Sequence, residues 1–510
     1  MKVRLKHVIL HGIVLAGLAC SAPAQDLASF EKRITLKTLD NGLTVLICER
    51  PEAPVFSFFT HVDVGADREV PGITGLAHMF EHMAFKGTDK IGTSNYAEEK
   101  VAIEKMEQAY QAYDRERRKQ VGRDQKRVAE LEKAWKDSMA AAQKYVIVNQ
   151  FGQIIEQDGG QGLNAFTSSE ETGYFYSFPS NRVELWAYLE SERFLHPVLR
   201  EFYKERDVVH EERRLGESQA FSRLLEQFLA TAYVAHPYGQ PVVGWPSDLE
   251  TFSITDGEAF YRKYYVPSNM VVTLAGDVKA SEVLPLIDKY FGRIPAGPKP
   301  EPLRTIEPPQ NAERIVILHE TSQPIFIEGY HKPGARDKDD AVYQALEDLL
   351  SSGRTSRLYR SLVRDKKIAA QSGGFNGFPG NKYPNLFVFF AISTPGHTPE
   401  EIRDAIHAEI ERVKKEDITD DELQMIKSRA KANLLRRLGD NRGLAFQLGS
   451  TQALYGDWRE LFREVDDISR VSKADIRRVA NTTFVASNRT VGMIESTQLA
   501  EAPSAGKETK

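Results

Sequence analysis

Two kinds of hydrophobic pattern alternate along the chain. Runs of β-branched and aromatic residues at "LTVLICER" (43–50) and "VFSFFTHVDVG" (55–65), each followed by turn residues, predict strands. "GLAHMFEHMAF" (75–85) has the helical period and predicts a helix ending near Gly87. From about Asn95 to Tyr145 the chain is charged, alanine-rich and free of proline. That stretch predicts two long helices broken near Gly122, or one solvated helical arm. "GLNAFTSSEETGYFYSFP" (162–179) is strand-like again. "NRVELWAYLESERFLHPVL" and "EFYKERDVVHEERRLGE" are helical by period, and "NMVVTLAGD" (269–277) returns to a strand.

A proline- and glycine-rich segment, "GRIPAGPKPEPLRTIEPPQ" (292–310), then reads as a linker. Beyond it the order repeats: strands at "RIVILHE" and "PIFIEGYH", a helix at "DDAVYQALEDLLSSG", then "SRLYRSLVRDKK" and a strand at "NLFVFFAIS". Several helices follow, one opened by a Thr419/Glu422 capping box. "FYRKYYVPSNMVVTLAG" parallels "VANTTFVASNRTVGMIE", with Asn269 and Asn488 in matching places. The pattern implies an α+β protein made of two copies of one α/β unit. Each copy is expected to hold an antiparallel sheet flanked by helices, at 25–291 and 314–500. A 292–313 linker joins them, the helical insertion at about 95–145 sits in the first, and 501–510 form a disordered tail.

Composition adds an address. Hydrophobic residues make up 41% of the 510 and charged residues 27%, the balance of a soluble globular protein. A net charge of -5 gives no basic field for nucleic acid. Lys2, Arg4 and Lys6 precede an apolar run from Val8 to Ala19, and Ala22-Pro23-Ala24 follows. This is the layout of a secretory signal, 1–24, and its apolar run is too short to span a bilayer comfortably. Cys20 offers a rival, lipid attachment, against which stands Gly17 where such signals carry a larger aliphatic residue. Cleavage after Ala24 leaves Cys48 as the single cysteine, so no internal disulfide forms and any metal is held by His, Asp or Glu. Export without disulfides points to a Gram-negative periplasm.

His78 and His82 lie four apart, on one face of the predicted helix, with Glu81 at the edge of that face. Two imidazoles so placed can converge on zinc, and a neighbouring carboxylate can take a proton from the water that zinc acidifies. His-x-x-Glu-His is the inverzincin order. The plainer reading is a buried histidine pair satisfied by backbone groups. A third ligand is available in "KERDVVHEERRLGE", where Glu205 and Glu212 sit two helical turns apart. Here the plainer reading is a solvated acidic helix whose glutamates pair with Arg206, Arg213 and Arg214. His210 points away from Glu212 and is not expected to be a ligand.

With these motifs on the page, the sequence resembles the pitrilysin–insulinase family of zinc metallopeptidases, in the branch of mitochondrial processing peptidase and its bacterial relatives. The resemblance rests on "HMFEH" (78–82), "LNAFTSSEETGYFY" (163–176), "ERDVVHEE" (205–212), "HPYGQPVVG" (236–244) and "SGRTSRLYRSLVRDKK" (352–367). It implies two homologous domains in a clamshell around a chamber. His78, His82 and Glu212 would be zinc ligands, Glu81 the general base and Glu205 an acidic residue that positions the site. The strand at Asn164, Ala165, Phe166 and Thr167 would be the edge to which an extended substrate peptide adds.

The sequence departs from the family's pattern in two ways. The 130 residues between His82 and Glu212 exceed the family's usual gap by about the length of the helical insertion. Active members also carry an Arg and a Tyr seven residues apart in the later half; here Arg364 fills the first position and Gln371 the second. The resemblance therefore implies an exported zinc endopeptidase for peptides or unfolded segments. It would work as a heterodimer with a related subunit that supplies the Arg/Tyr pair, or as a homodimer. The alternative is a non-catalytic peptide-binding or assembly subunit.

Overall fold

The computed structural model describes residues 27–497. The expected signal, Cys20 and the 501–510 tail lie outside the described residues. The strands form two sheets. The first contains β1 (Ile34–Thr38), β2 (Thr44–Glu49), β3 (Val55–Val62), β4 (Gln161–Thr167), β5 (Thr172–Pro179) and β6 (Met270–Gly276), in the order β1-β2-β6-β3-β5-β4. The second contains β7 (Arg314–Glu320), β8 (Ile325–Lys332), β9 (Ala369–Phe378), β10 (Asn385–Ser393) and β11 (Arg489–Ser496), in the order β7-β11-β8-β10-β9. With β1 set aside, the two orders match strand by strand.

The antiparallel expectation needs one correction in each sheet. β2 pairs parallel with β6, and β7 with β11, because each closing strand returns after long helical crossovers and runs alongside the opening strand. The matching asparagines make the same bonds. Asn269 Nδ2 donates to the carbonyls of Asp63 (3.1 Å) and Tyr264 (3.0 Å), and Asn488 Nδ2 to those of His331 (2.8 Å) and Thr483 (3.0 Å). In both copies the side chain ties the turn before the closing strand to the chain five residues back and to the neighbouring strand.

Among the helices, α1 (Leu76–Met83) follows β3, and α2 (Tyr96–Arg117) and α3 (Gln125–Gln143) come next. α4 (Phe202–Glu217) and α5 (Ala220–Ala232) precede β6. In the second copy α6 (Asp340–Ser351) follows β8, while α7 (Asp420–Arg437) and α8 (Asn441–Tyr455) precede β11. Two of these helices change sides. α5 lies on β7 and β11, where Leu224, Phe228 and Ala232 pack with Ile325, Val388 and Ile494. α8 does the reverse: Leu444, Ala445 and Leu448 pack with Leu46, Phe59 and Ala275 of the first sheet. A Cβ at Gly449 would come within 2.9 Å of the Phe59 ring, so this crossing needs a glycine. The linker thus separates the sheets but not their packing. The exchange also explains why "TVLICE" reads as one apolar run. Val45 and Ile47 face the first half's own core, Leu46 and Cys48 face α8, and burial pushes the Cys48 thiol up to about 11.

The insertion is two antiparallel helices joined across Gly122, which has φ +71. It is not a free arm. Trp135, only 8% exposed, packs among Tyr110, Tyr113 and Tyr203, with ring centroids 5.1–5.5 Å away. Arg206 on α4 lies over the Tyr110, Trp135 and Tyr203 rings and donates to the Tyr110 hydroxyl (2.9 Å). The hairpin therefore braces the back of α4. Among the described residues no helix is long and apolar enough to cross a membrane.

Candidate metal centre

α1 begins at Gly75, whose φ of +94 suits glycine, and a Cβ there would meet the Val243 carbonyl at 2.5 Å. Gly244 of "HPYGQPVVG" closes in from the other side; its own Cβ would meet the Thr74 carbonyl at 2.4 Å. Buried carboxylates take N–H groups at the helix start and in the turn before it. Glu69 accepts from Gly75 N (2.8 Å) and Ala77 N (2.6 Å), and Asp248 from Gly72 N (2.9 Å) and Thr74 N (3.1 Å). Leu76, Ala77, Met79, Phe80 and Met83 bury the helix's apolar side. His78, Glu81 and His82 are left on the open side.

α4 faces them. Its buried stripe is Phe202, Tyr203, Arg206, Val209 and Arg213, which turns Glu205 and Glu212 toward α1. The pairing of these glutamates with neighbouring arginines does not occur. Arg206 bonds Tyr110 and Phe252, Arg213 pairs with Glu217 and Glu226, and Arg214 pairs with Glu211. Glu212 Oε2 lies 3.6 Å from His78 Nε2 and its Oε1 3.6 Å from His82 Nε2. One donor atom from each of the three residues lies within 4.8 Å of the others, and His210 is outside this group. Tetrahedral zinc with ligands at 2.0–2.2 Å holds its donors roughly 3.4 Å apart, so two nitrogens and a carboxylate so placed fit zinc.

His82 uses its other nitrogen as well: Nδ1 lies 3.4 Å from Glu205 Oε2. Glu205 is held in turn by Lys86, which also reaches Glu201 (3.2 Å). Lys86 is a neighbour of the cluster that the sequence reading missed. It follows the motif directly, but nothing in its spacing marks it. Burial, with the neighbouring His82 adding to it, pushes the His78 pKa down to about 4, which keeps that ring neutral. Burial also raises Glu81, opposed by the Thr167 hydroxyl and by His82, while Glu212 adds to the rise. Glu81 Oε2 lies 4.0 Å from His78 Nε2. The Glu212 side chain is 42% exposed, so the centre opens to solvent.

β4 is an edge strand and α1 packs against it, which brings Asn164, Ala165, Phe166 and Thr167 alongside the cluster. Among the described residues Arg364 bonds Asp365 instead. It sits on a π-helical turn of the second half, its side chain 55% exposed, with its guanidinium on Asp365 (2.7 and 3.0 Å). Gln371 is exposed on β9, the edge of the other sheet.

The sheets, the repeat and the histidine–glutamate cluster define a two-domain α/β protein of the metallopeptidase type. Residues 44–119 and 138–245 match the sequence profile of the insulinase family (peptidase family M16), and residues 251–430 match that of the peptidase M16 inactive domain. The chain belongs to this family. The only part of the insertion outside these matches is 120–137, the turn and most of α3, so the insertion's extra length is smaller than the whole 95–145 stretch.

A zinc protease, PqqE, of Helicobacter pylori is 27% identical over 486 residues, 93% of this chain and 95% of that protein. A probable mitochondrial-processing peptidase subunit beta of Arabidopsis thaliana is 24% identical, covering 89% of this chain and 76% of its own length. A crystal structure of a protease from Helicobacter pylori aligns with TM-score 0.75 and 26% identity over 91% of this chain and 99% of that one. The periplasmic protease PqqL from Escherichia coli shares the fold at TM-score 0.69 and 18% identity, covering 92% of this chain and 48% of that one.

Proposed function

We propose that the chain is an exported, periplasmic zinc endopeptidase acting on peptides or unfolded protein segments. The observation that carries this reading is the convergence of His78, His82 and Glu212 beside Glu81 and the open edge of β4. Zinc held by the three ligands would supply Lewis-acid chemistry, polarising the scissile carbonyl and making water acidic enough to attack near neutral pH. Glu205 orients the His82 ring through Nδ1. Backbone groups of Asn164 to Thr167 bind an extended peptide by strand addition, with little demand on its sequence. Glu81, beside the cluster, takes the proton from the attacking water and delivers it to the leaving amine.

Gln371 stands where active relatives carry tyrosine, and Arg364 is tied to Asp365. The proposal therefore includes a partner: a related subunit that supplies an Arg/Tyr pair, or a second copy. Gln371 also favours a second reading, in which the chain binds peptides or partners without cutting them.

The test is hydrolysis of a quenched-fluorescence peptide by the mature zinc-loaded chain, beside Glu81→Gln. Retained zinc with a roughly 10²- to 10⁴-fold loss of rate in the variant is expected. Equal rates in both proteins would remove Glu81 from the chemistry. No cleavage by the folded chain, alone or with an Arg/Tyr subunit, would leave the second reading.

A further inference from the structure

Lys86 stands just past α1, beside the start of α4, and both its ends are fixed. Its Nζ donates to Glu205, the carboxylate that faces His82 Nδ1, and to Glu201 Oε2 (3.2 Å). Its carbonyl accepts from Arg200 Nη1 (2.6 Å). The same guanidinium closes the loop after α1 by donating to the carbonyls of Thr88 (2.7 Å) and Ile91 (2.8 Å). Glu205 is largely buried and shares a helix face with Glu212, so a cation beside it offsets a costly unpaired charge.

Each anchor leads back to the α2–α3 hairpin. Arg200, 1% exposed, makes a two-pronged pair with Glu99 in the first turn of α2 (2.8 and 3.0 Å). Glu201 accepts from Gln143, the last residue of α3. Glu201 also precedes α4 at φ +57, a left-handed backbone that is costly without glycine. Side-chain bonds to Lys86, Lys204 and Gln143 offset that cost. The base of the hairpin thus reaches Lys86 by two routes, one through its backbone and one through its side chain.

We infer that Lys86 is a positioning residue for the histidine–glutamate cluster, and that the base of the α2–α3 hairpin sets its place. Lys86 acts through Glu205, which orients the His82 ring. The inference rests on the zinc reading above and gives the insertion a task, holding the carboxylate behind one of the metal's ligands.

The experiment measures zinc affinity by chelator competition on the mature chain and its variants, with melting temperature checking the fold. Lys86→Met keeps most of the stem and removes the charge, and should cost about 10- to 100-fold. Lys86→Gln should lose a similar amount, so a folding failure of one variant leaves the other to decide. Lys86→Arg should recover most of the loss. Lys90→Met removes a nearby charge that pairs with Glu192 instead, and should leave zinc affinity unchanged. Gln143→Leu should cost about threefold alone and nothing further in the Lys86→Met background, because both act through one route. The visible spectrum of the cobalt-substituted chain is a second readout, which Lys86→Met should alter and Lys86→Arg restore. Lys86→Met with the affinity and spectrum of Lys90→Met overturns the inference. So does a Gln143→Leu loss of equal size in both backgrounds, since the hairpin would then act by another route. A chain that binds no zinc, or binds it equally well with His82→Ala, sinks the zinc reading and this inference with it.

Discussion

α1 and α6 are the first longer helices after β3 and β8, and each packs against an edge strand of its own sheet, β4 and β9. α1 offers His78, Glu81 and His82; α6 offers Gln344, Glu347 and Asp348 at the same spacing. The surroundings differ in sign. The α1 residues look across to carboxylates on α4, whereas Asp348 looks across to Arg429 on α7 (3.2 Å), and Glu347 accepts from Asn376 N of β9 (3.2 Å). Burial lifts Glu347 to about 7, so a proton can take the place of a cation there. One scaffold thus supports either a histidine–carboxylate cluster that fits a metal ion or a neutralised polar cluster. What decides is the charge of the group that the second helix presents. The match of 251–430 to an inactive peptidase domain agrees with this difference.

The sharpest test exchanges equivalent positions. His82→Ala should weaken zinc binding by more than about a hundredfold, while Asp348→Ala leaves zinc content unchanged, both read by chelator competition. Equal loss in the two variants would break the comparison. Glu205→Gln, which weakens the acceptor on His82 Nδ1 but keeps the shape, should cost about 10- to 100-fold in zinc affinity. Unchanged affinity would mean that the ring needs no such support.

The paired asparagines give a smaller contrast. Asn269→Ala should destabilise by about 1–3 kcal/mol in urea unfolding, and Asn488→Ala by less. The bonds are alike, but Asn269 is 4% exposed whereas Asn488 is not buried, so water can replace its bonds. The smallest effect concerns pH. Hydrogen bonding to Arg357, reinforced by the Thr419 backbone and opposed by burial, lowers Glu422 from 4.5 to about 2. Its stabilisation is present above pH 4.5 and lost as pH falls through 2, which amounts to about 1 kcal/mol after solvent screening. Glu422→Gln should flatten that acid limb of a melting-temperature profile.

Much of the frame was legible because apolar runs and turn residues mark buried strands directly. The Asn269/Asn488 match exposed the duplication, and the His78/His82 spacing exposed half of the histidine–glutamate cluster. The choice of Glu212 as the cluster's third member came from the resemblance, since spacing alone left its pairing with arginines open. β9 was missed because Gly373, Gly374 and Gly377 dilute its apolar pattern at an exposed edge. The anchoring of the α2–α3 hairpin was hidden in the same way: three aromatics, Tyr110, Tyr113 and Trp135, sit in a strongly charged background. The exchange of α5 and α8 left no local trace, because helical periodicity says which face is apolar but not which sheet it meets.

That exchange bears on the order in which the chain acquires structure. The first sheet's last strand ends at Gly276, yet one of its faces stays open until Asn441–Tyr455 arrive from nearly the far end. During vectorial synthesis the leading half therefore carries Leu46, Phe59 and Ala275 without their α8 cover for well over a hundred residues of further chain. The cover of that face is thus completed only when the trailing half is in place.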